Sequence, residues 1–324
     1  MALYPLRFKP RLKERIWGGE SLAAKCGKRS AKGKRYGESW EISGVAGDLS
    51  VVSSGMFKGN DLQEMVEIYM GDLVGEKVYD KFGIEFPLLV KHIDTAALLS
   101  IQVHPDDRLA AERHNSYGKT EVWYVTECEP GASLYLGLKS GVTRAQYLDA
   151  VVAGTLPELL QKYEVHAGDA FFIPAGTIHA IGKGIKVVEI QQTSDITYRI
   201  FDWNRVDDNG RPRQLHTALA IDAIDFDSDA QYVITRPPQK NTPVKIVCCP
   251  YFTTNLLEVE GEVERDFSSL DSFVIYVCVE GSVTLSCEGA EERLSKDDVL
   301  LVPAEQMAVT LKGDGTLLEV YCEY

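Results

Sequence analysis

Histidine is scarce in this chain, six in 324 residues, and so are long apolar runs. No uninterrupted apolar stretch approaches the roughly 18 residues that a membrane helix needs. The N-terminus, MALYPLRFKPRLKERIWGG, is broken by charges and prolines and does not read as a secretory leader. Cysteine offers neither a disulfide framework nor a zinc finger: there are seven, an odd number, with one adjacent pair at Cys248 and Cys249 and no CxxC spacing. A cytoplasmic chain with reduced, mostly buried thiols is therefore expected. Positive charge is also in short supply, with 34 Lys and Arg against 48 Asp and Glu and a formal net charge of −14. That balance argues against nucleic acid as a partner, and nothing points to a membrane. An anionic ligand would have to be met by Lys and Arg gathered locally against a repulsive global field.

What is present is an ordinary globular composition, 45% hydrophobic and 25% charged, on a chain long enough for two domains. Short β-branched and aromatic runs bounded by turn residues dominate: FPLLVKHID, ALLSIQVHP, TEVWYVTE, ASLYLGL, AFFIPAG, KVVEIQQ and ITYRIFDW. Two segments instead carry helical spacing. They are 61–74, through Leu62, Met65, Val66, Tyr69 and Leu73, and 143–163, through Leu148, Val151, Val152, Leu159, Leu160 and Tyr163. RPPQKNTP, residues 236–243, reads as a linker, and strands resume beyond it. The expected architecture is mainly β, with a first domain over 1–235, the linker, and a second β domain over 244–324.

An internal echo refines this. KDDVLLVPAEQMAV repeats the strand and proline of AGDAFFIPAGTIHA; aligning Pro303 with Pro174 sets Asp297 against Gly168, Glu305 against Gly176 and Ala308 against His179. The second copy loses both glycines and the histidine. A duplicated β barrel with one working copy is the expectation, and the C-terminal copy should be structural.

The working copy gathers chemistry. In SIQVHP, strand alternation puts Ser100, Gln102 and His104 on one face. Three polar groups would not share a buried face unpartnered, since each costs about 1–3 kcal/mol. In YGKTEVWYV the same alternation pairs Lys119 with Glu121, and His179 follows the Pro174–Gly176 turn. Gln, His, Glu and His offer two oxygen and two nitrogen ligands, a set suited to zinc or a similar divalent ion. The remaining histidines, His92, His114, His166 and His216, read as surface or structural residues. The basic run KCGKRSAKGKR, 25–35, reads first as a solvated loop and second as a phosphate contact.

The spacing Gly168, Pro174, Gly176, His179 resembles the second metal-binding motif of the cupin superfamily, whose members are small double-stranded β-helix barrels. SIQVHP followed by Glu121 resembles the first cupin motif with glutamine in place of its first histidine. Gln-x-His, then Glu, then His is the pattern of the type I mannose-6-phosphate isomerases. WGG at 17–19, GESWEIS at 37–43, FPLLVKHID, VVEIQQTSDITYRIFDWNR at 187–205 and LHT at 215–217 are similar as well. The resemblance runs along most of residues 5–220.

It implies two cupin-type barrels, the second degenerate, and one zinc per chain on Gln102, His104, Glu121 and His179. It implies a catalytic role for Arg199 and a pocket shared by Glu189, Lys119 and Lys91. The implied reaction moves a proton between C2 and C1 of a sugar phosphate through an enediolate. That needs a base near C2 and positive charge where the oxyanion develops. Glu189, Lys119 and a zinc-bound water remain open as the base, with Glu189 favoured. Lys91 and Ser100 are the first choice for the phosphate. A glucose 6-phosphate isomerase of cupin type, a cupin oxygenase and a sugar-sensing module stay as alternatives; the oxygenase would prefer His-x-His with iron, against Gln102. The partner is a small sugar phosphate, and the chain a monomer or homodimer.

Overall fold

The computed structural model describes residues 3–25, 34–207, 209–227 and 230–324; residues 26–33 of the basic run lie outside them. The protein is mainly β, and no helix among the described residues is long and apolar enough to cross a membrane. By compactness the chain divides into one unit of Met1–Arg11, Glu41–Leu89 and Thr235–Tyr324, and another of Leu12–Trp40 and Val90–Ile234.

This grouping cuts across the sequential domains expected. The chain does cross between units at 234/235, but residues 1–11 and 41–89 group with the C-terminal segment. The reason lies in long-range capping that no local pattern announces. Asp271 accepts from the backbone amides of Glu76 and Lys77 at 2.7 and 3.1 Å, capping the helix Glu76–Phe82. The amides of Ala304 and Glu305 donate to the carbonyls of Leu73 and Asp72, at the end of the helix Leu62–Val74. That helix occupies its expected place, opened by a capping box of Asp61 and Glu64.

The second expected helix is half its predicted length. It covers Arg144–Ala153 behind a capping box of Thr143 and Gln146, and ends at Gly154 with φ of 73°. A 3-10 turn with Pro157 follows, and Leu160–Glu164 is a strand paired with Ser133–Leu138. Leu148 and Val152, counted toward an apolar stripe, are exposed, and Tyr147 and Ala150 are the buried pair. A glycine–proline stop thus outranked the apolar spacing beyond it.

In the unit holding Leu12–Trp40 and Val90–Ile234, two sheets provide the scaffold. One runs in the order Arg11–Gly19, Tyr36–Ser43, Leu88–Thr95, Ile185–Gln192, Glu121–Cys128, Ala170–Ile173, Val233–Ile234. The other runs Tyr198–Phe201, Ile101–Val103, His179–Ala180, Ser133–Leu138, Leu160–Glu164. The WGG stretch earns its glycines here. A Cβ on Gly18 would lie 2.3 Å from the backbone nitrogen of Gly37, so the two chain segments approach too closely for any side chain.

In the other unit, the strands Thr253–Asp266, Ala308–Tyr321, Val274–Cys287 and Val299–Val302 repeat part of the first sheet. Glu121 pairs with Ile173, and Val274 with Val302. The amide of Gly168 donates to Val125, and that of Asp297 to Cys278. Asp297 even keeps a positive φ, 71° against 93° for Gly168. The backbone of the motif is thus duplicated while its chemistry is replaced, with buried Val274 standing where the first copy has Glu121.

The place of Glu189, paired with Trp123, falls to Glu319, paired with Tyr276. Glu319 is closed into a network by a bidentate Arg265 at 2.9 Å, the Tyr276 hydroxyl at 2.9 Å and the Asn255 amide at 2.9 Å. Its charge is fully satisfied from within the protein.

Candidate active site

Strand register brings the metal-ligating types together. In the five-stranded sheet, Gln102 pairs with His179 on one side and with Arg199 on the other. In the seven-stranded sheet, Glu121 pairs with Gln191. His179 Nε2 then stands 3.5 Å from Glu121 Oε1, and His104 Nε2 3.6 Å from Glu121 Oε2, so the carboxylate of one sheet meets two imidazoles presented from the other side. His104, Glu121 and His179 are all buried, with donor atoms within 4.8 Å of one another.

Each imidazole is held in one tautomer. His104 Nδ1 donates to the Ile196 carbonyl and His179 Nδ1 to the Thr177 carbonyl, both at 2.9 Å, which leaves each Nε2 as the lone-pair nitrogen facing Glu121. Burial lowers both pKa values, that of His179 to about 4 and that of His104 well below the usual range, so both rings are neutral near pH 7. Neither oxygen of Glu121 is satisfied by a hydrogen bond, although Lys119 Nζ lies 3.0 Å from Oε2. Two neutral imidazoles and an unsatisfied buried carboxylate fit a divalent cation. Gln102 lies beside them, its Nε2 3.2 Å from His179 Nε2.

A second group of charges adjoins the first. Lys91 Nζ donates to Glu189 Oε1 at 2.7 Å and Gln191 Oε1 at 2.6 Å, and the Trp123 indole donates to Glu189 Oε2 at 2.9 Å. Burial alone would raise the Glu189 carboxyl, but Lys91 and Lys119 with these hydrogen bonds hold it down at about 2. Burial likewise works against the Lys119 ammonium, and Glu121 and Glu189 outweigh it, raising its pKa. These residues open on a cleft of about 460 Å³ whose wall includes Trp40, Ser100, Gln102 and three arginines, Arg15, Arg199 and Arg213.

Comparison with known proteins gives this constellation a family. Residues 5–129 match the family described as phosphomannose isomerase type I, catalytic domain, and residues 242–322 match the mannose-6-phosphate isomerase cupin domain. A putative mannose-6-phosphate isomerase of Bacillus subtilis is 35% identical over 98% of this chain and 99% of its own length. A mannose-6-phosphate isomerase of Streptococcus mutans is 34% identical over 96% of each. The chain belongs to the type I phosphomannose isomerase family. A crystal structure of the mannose 6-phosphate isomerase from Bacillus subtilis superposes with a TM-score of 0.86 at 33% identity, covering 98% of this chain and 99% of that one.

Within this phosphomannose isomerase chain, the residues singled out from sequence fall into two sets. Gln102, His104, Glu121 and His179 cluster at one point, and Lys119, Glu189 and Lys91 form the adjoining ion-pair network. Ser100 is buried, and its hydroxyl accepts from Arg199 Nε at 3.3 Å. Trp40 lines the cleft, with Lys13 and Lys91 ammonium groups 4.3 and 5.4 Å from its ring. His216 holds Arg199 from behind: its Nδ1 accepts from the Arg199 amide at 3.1 Å, and its own amide donates to the Arg199 carbonyl at 2.7 Å.

Sequence reasoning missed Arg15, Arg213, Asp202 and Trp123. Arg15 sits in the charged strand Arg11–Gly19 and Trp123 in the largely apolar Glu121–Cys128, and alternation marks faces but not partners in either. Arg213 and Asp202 lie outside the regular strands, where no periodicity applies.

Proposed function

We propose that this chain interconverts mannose 6-phosphate and fructose 6-phosphate as a zinc-dependent aldose–ketose isomerase. The observation that carries the reading is the convergence of two neutral imidazoles on an unsatisfied buried carboxylate, beside a cation-walled cleft, in a chain of this family. Zinc fits that donor set, and His104, Glu121, His179 and the carbonyl oxygen of Gln102 would hold one ion. When bound, it supplies Lewis acidity toward the sugar oxygens.

The remaining work falls on side chains. Lys119, which lines the cleft and rests as an ammonium, is the proton carrier in our reading: in its neutral amine form Nζ takes the proton from C2, and the ammonium so formed returns it to C1, leaving the side chain as it began the transfer. Glu189 was the favoured base on sequence grounds. A carboxylate held near pKa 2 and engaged by Lys91 and Trp123 accepts a proton poorly, so we assign it instead to holding the two lysines. Lys91 contributes fixed positive potential at the cleft, held in place by Glu189 and Gln191. Ser100 orients the Arg199 guanidinium, which faces the developing oxyanion.

A coupled assay for fructose 6-phosphate formation from mannose 6-phosphate tests the whole reading. Turnover should disappear on exhaustive chelation and return with stoichiometric zinc. Full activity after chelation would remove the metal from the mechanism. Comparable turnover of glucose 6-phosphate would reassign the substrate.

A further inference from the structure

A chain of net charge −14 gathers guanidinium groups at one end of its cleft. Arg213 forks onto Asp202, with Nε on Oδ2 at 2.8 Å and Nη2 on Oδ1. Arg205 Nη2 donates to the same Oδ1, so one carboxylate serves two arginines. Arg199 adds a third: its Nε and Nη1 go to Ser100 Oγ and the Gln214 carbonyl, and among the described residues it pairs with no carboxylate. Burial first, and then the neighbouring Arg213 charge, lowers the Arg199 pKa. Arg15 differs, because Glu38 matches it in a bidentate pair at 3.0 and 2.9 Å. The rest of the acidic lining is Glu189, paired with Lys91, Glu14, paired with Lys34, and the exposed Asp195.

The wall around Asp202 therefore holds more positive charge than its own carboxylate balances. A phosphate monoester carries about −1.5 to −2 at neutral pH and offers three acceptor oxygens. A bidentate carboxylate contact consumes the Nε–Nη2 edge of Arg213 and leaves Nη1 without a protein acceptor among the described residues. Lys91, a first choice from sequence together with Ser100, is buried, with its charge matched by Glu189 and a second N–H given to Gln191, so at most one N–H is left for a phosphate.

We infer that Arg213, aimed by Asp202 and supported by Arg205, is the seat of the substrate phosphate, and that Asp202 is its positioning residue. The inference rests on the sugar-phosphate reading above and deepens it. It separates two roles among neighbouring arginines: Arg213 holds the substrate, and Arg199 answers to the reacting end.

The test uses zinc-loaded full-length protein and titrates mannose 6-phosphate and mannose by calorimetry, alongside steady-state kinetics. The wild type should prefer the phosphorylated sugar by at least about tenfold. Arg213→Ala should erase most of that preference and raise KM about 10- to 100-fold, the loss of a charge-assisted contact, while kcat changes only a few-fold. Arg213→Lys should recover part of the affinity, because the charge survives and the fork does not. Asp202→Asn should raise KM in the same direction, and Asp202→Glu should restore some of it. An Arg213→Ala protein that binds both sugars as the wild type does would overturn the proposal. Preference for the phosphate without any turnover by the wild type would refute the isomerase reading and leave the phosphate seat standing.

Discussion

Replacing His179 with alanine should leave a folded protein that no longer holds metal and no longer isomerises sugar phosphate. His179 sits in a two-residue strand behind the Gly176 turn, where φ of 89° makes the tight reversal. Its ring, fixed by the Thr177 carbonyl, presents Nε2 to Glu121. Alanine removes one of the two imidazole donors and the hydrogen bond behind it, but no backbone pairing. Elemental analysis should fall from about one zinc per chain to near zero, and His104→Ala should do the same. The rate should fall by about 10³-fold or more, matching the several kcal/mol that a Lewis-acidic metal contributes to charge stabilisation. A variant that kept both its zinc and its turnover would sink the ligand assignment.

Arg199→Ala should show the opposite dissociation, keeping zinc and losing turnover. The guanidinium is positioned from three directions, by Ser100 at Nε, by the Gln214 carbonyl at Nη1 and by His216 through the backbone. A donor held this firmly costs no reorganisation when the enediolate charge appears, and it stays protonated throughout. Losing such a donor typically costs about 10²–10³ in rate, roughly 3–4 kcal/mol. Affinity for mannose 6-phosphate should change only several-fold, since Arg213 remains. Arg199→Lys should rescue turnover in part. Normal kcat with a greatly raised KM would make Arg199 a phosphate anchor and shift the catalytic burden to Lys119.

Much of the site was legible because strand alternation is a strict rule. Ser100, Gln102 and His104 fall on one face by that rule, and so do Lys119 and Glu121. The second pairing reappears as a contact, Lys119 Nζ lying 3.0 Å from Glu121 Oε2. The repeat was legible too, down to Asp297 adopting the backbone of Gly168. Alternation gives the side of a strand and not what lies opposite. The pairing of Lys91 with Glu189 was therefore invisible, and so was the sharing of Asp202 by Arg205 and Arg213. Residues 143–163 failed for a related reason. Apolar spacing continued past Gly154, but spacing records hydrophobicity and cannot record that the chain has turned.

The partition of the ligands between two sheets has a thermodynamic consequence. Glu121 belongs to the seven-stranded sheet, and Gln102 and His179 belong to the five-stranded one. An ion gripped by both would act as a removable rivet between the layers, a grip the unfolded chain would lack. Folding and occupancy are then linked, with the native state favoured by RT ln(1 + [L]/Kd), about 2.7 kcal/mol at free ion a hundredfold above Kd. The melting temperature of the protein should climb with free zinc, so a thermal melt would read the affinity of the site without any sugar present. In His179→Ala that dependence should flatten.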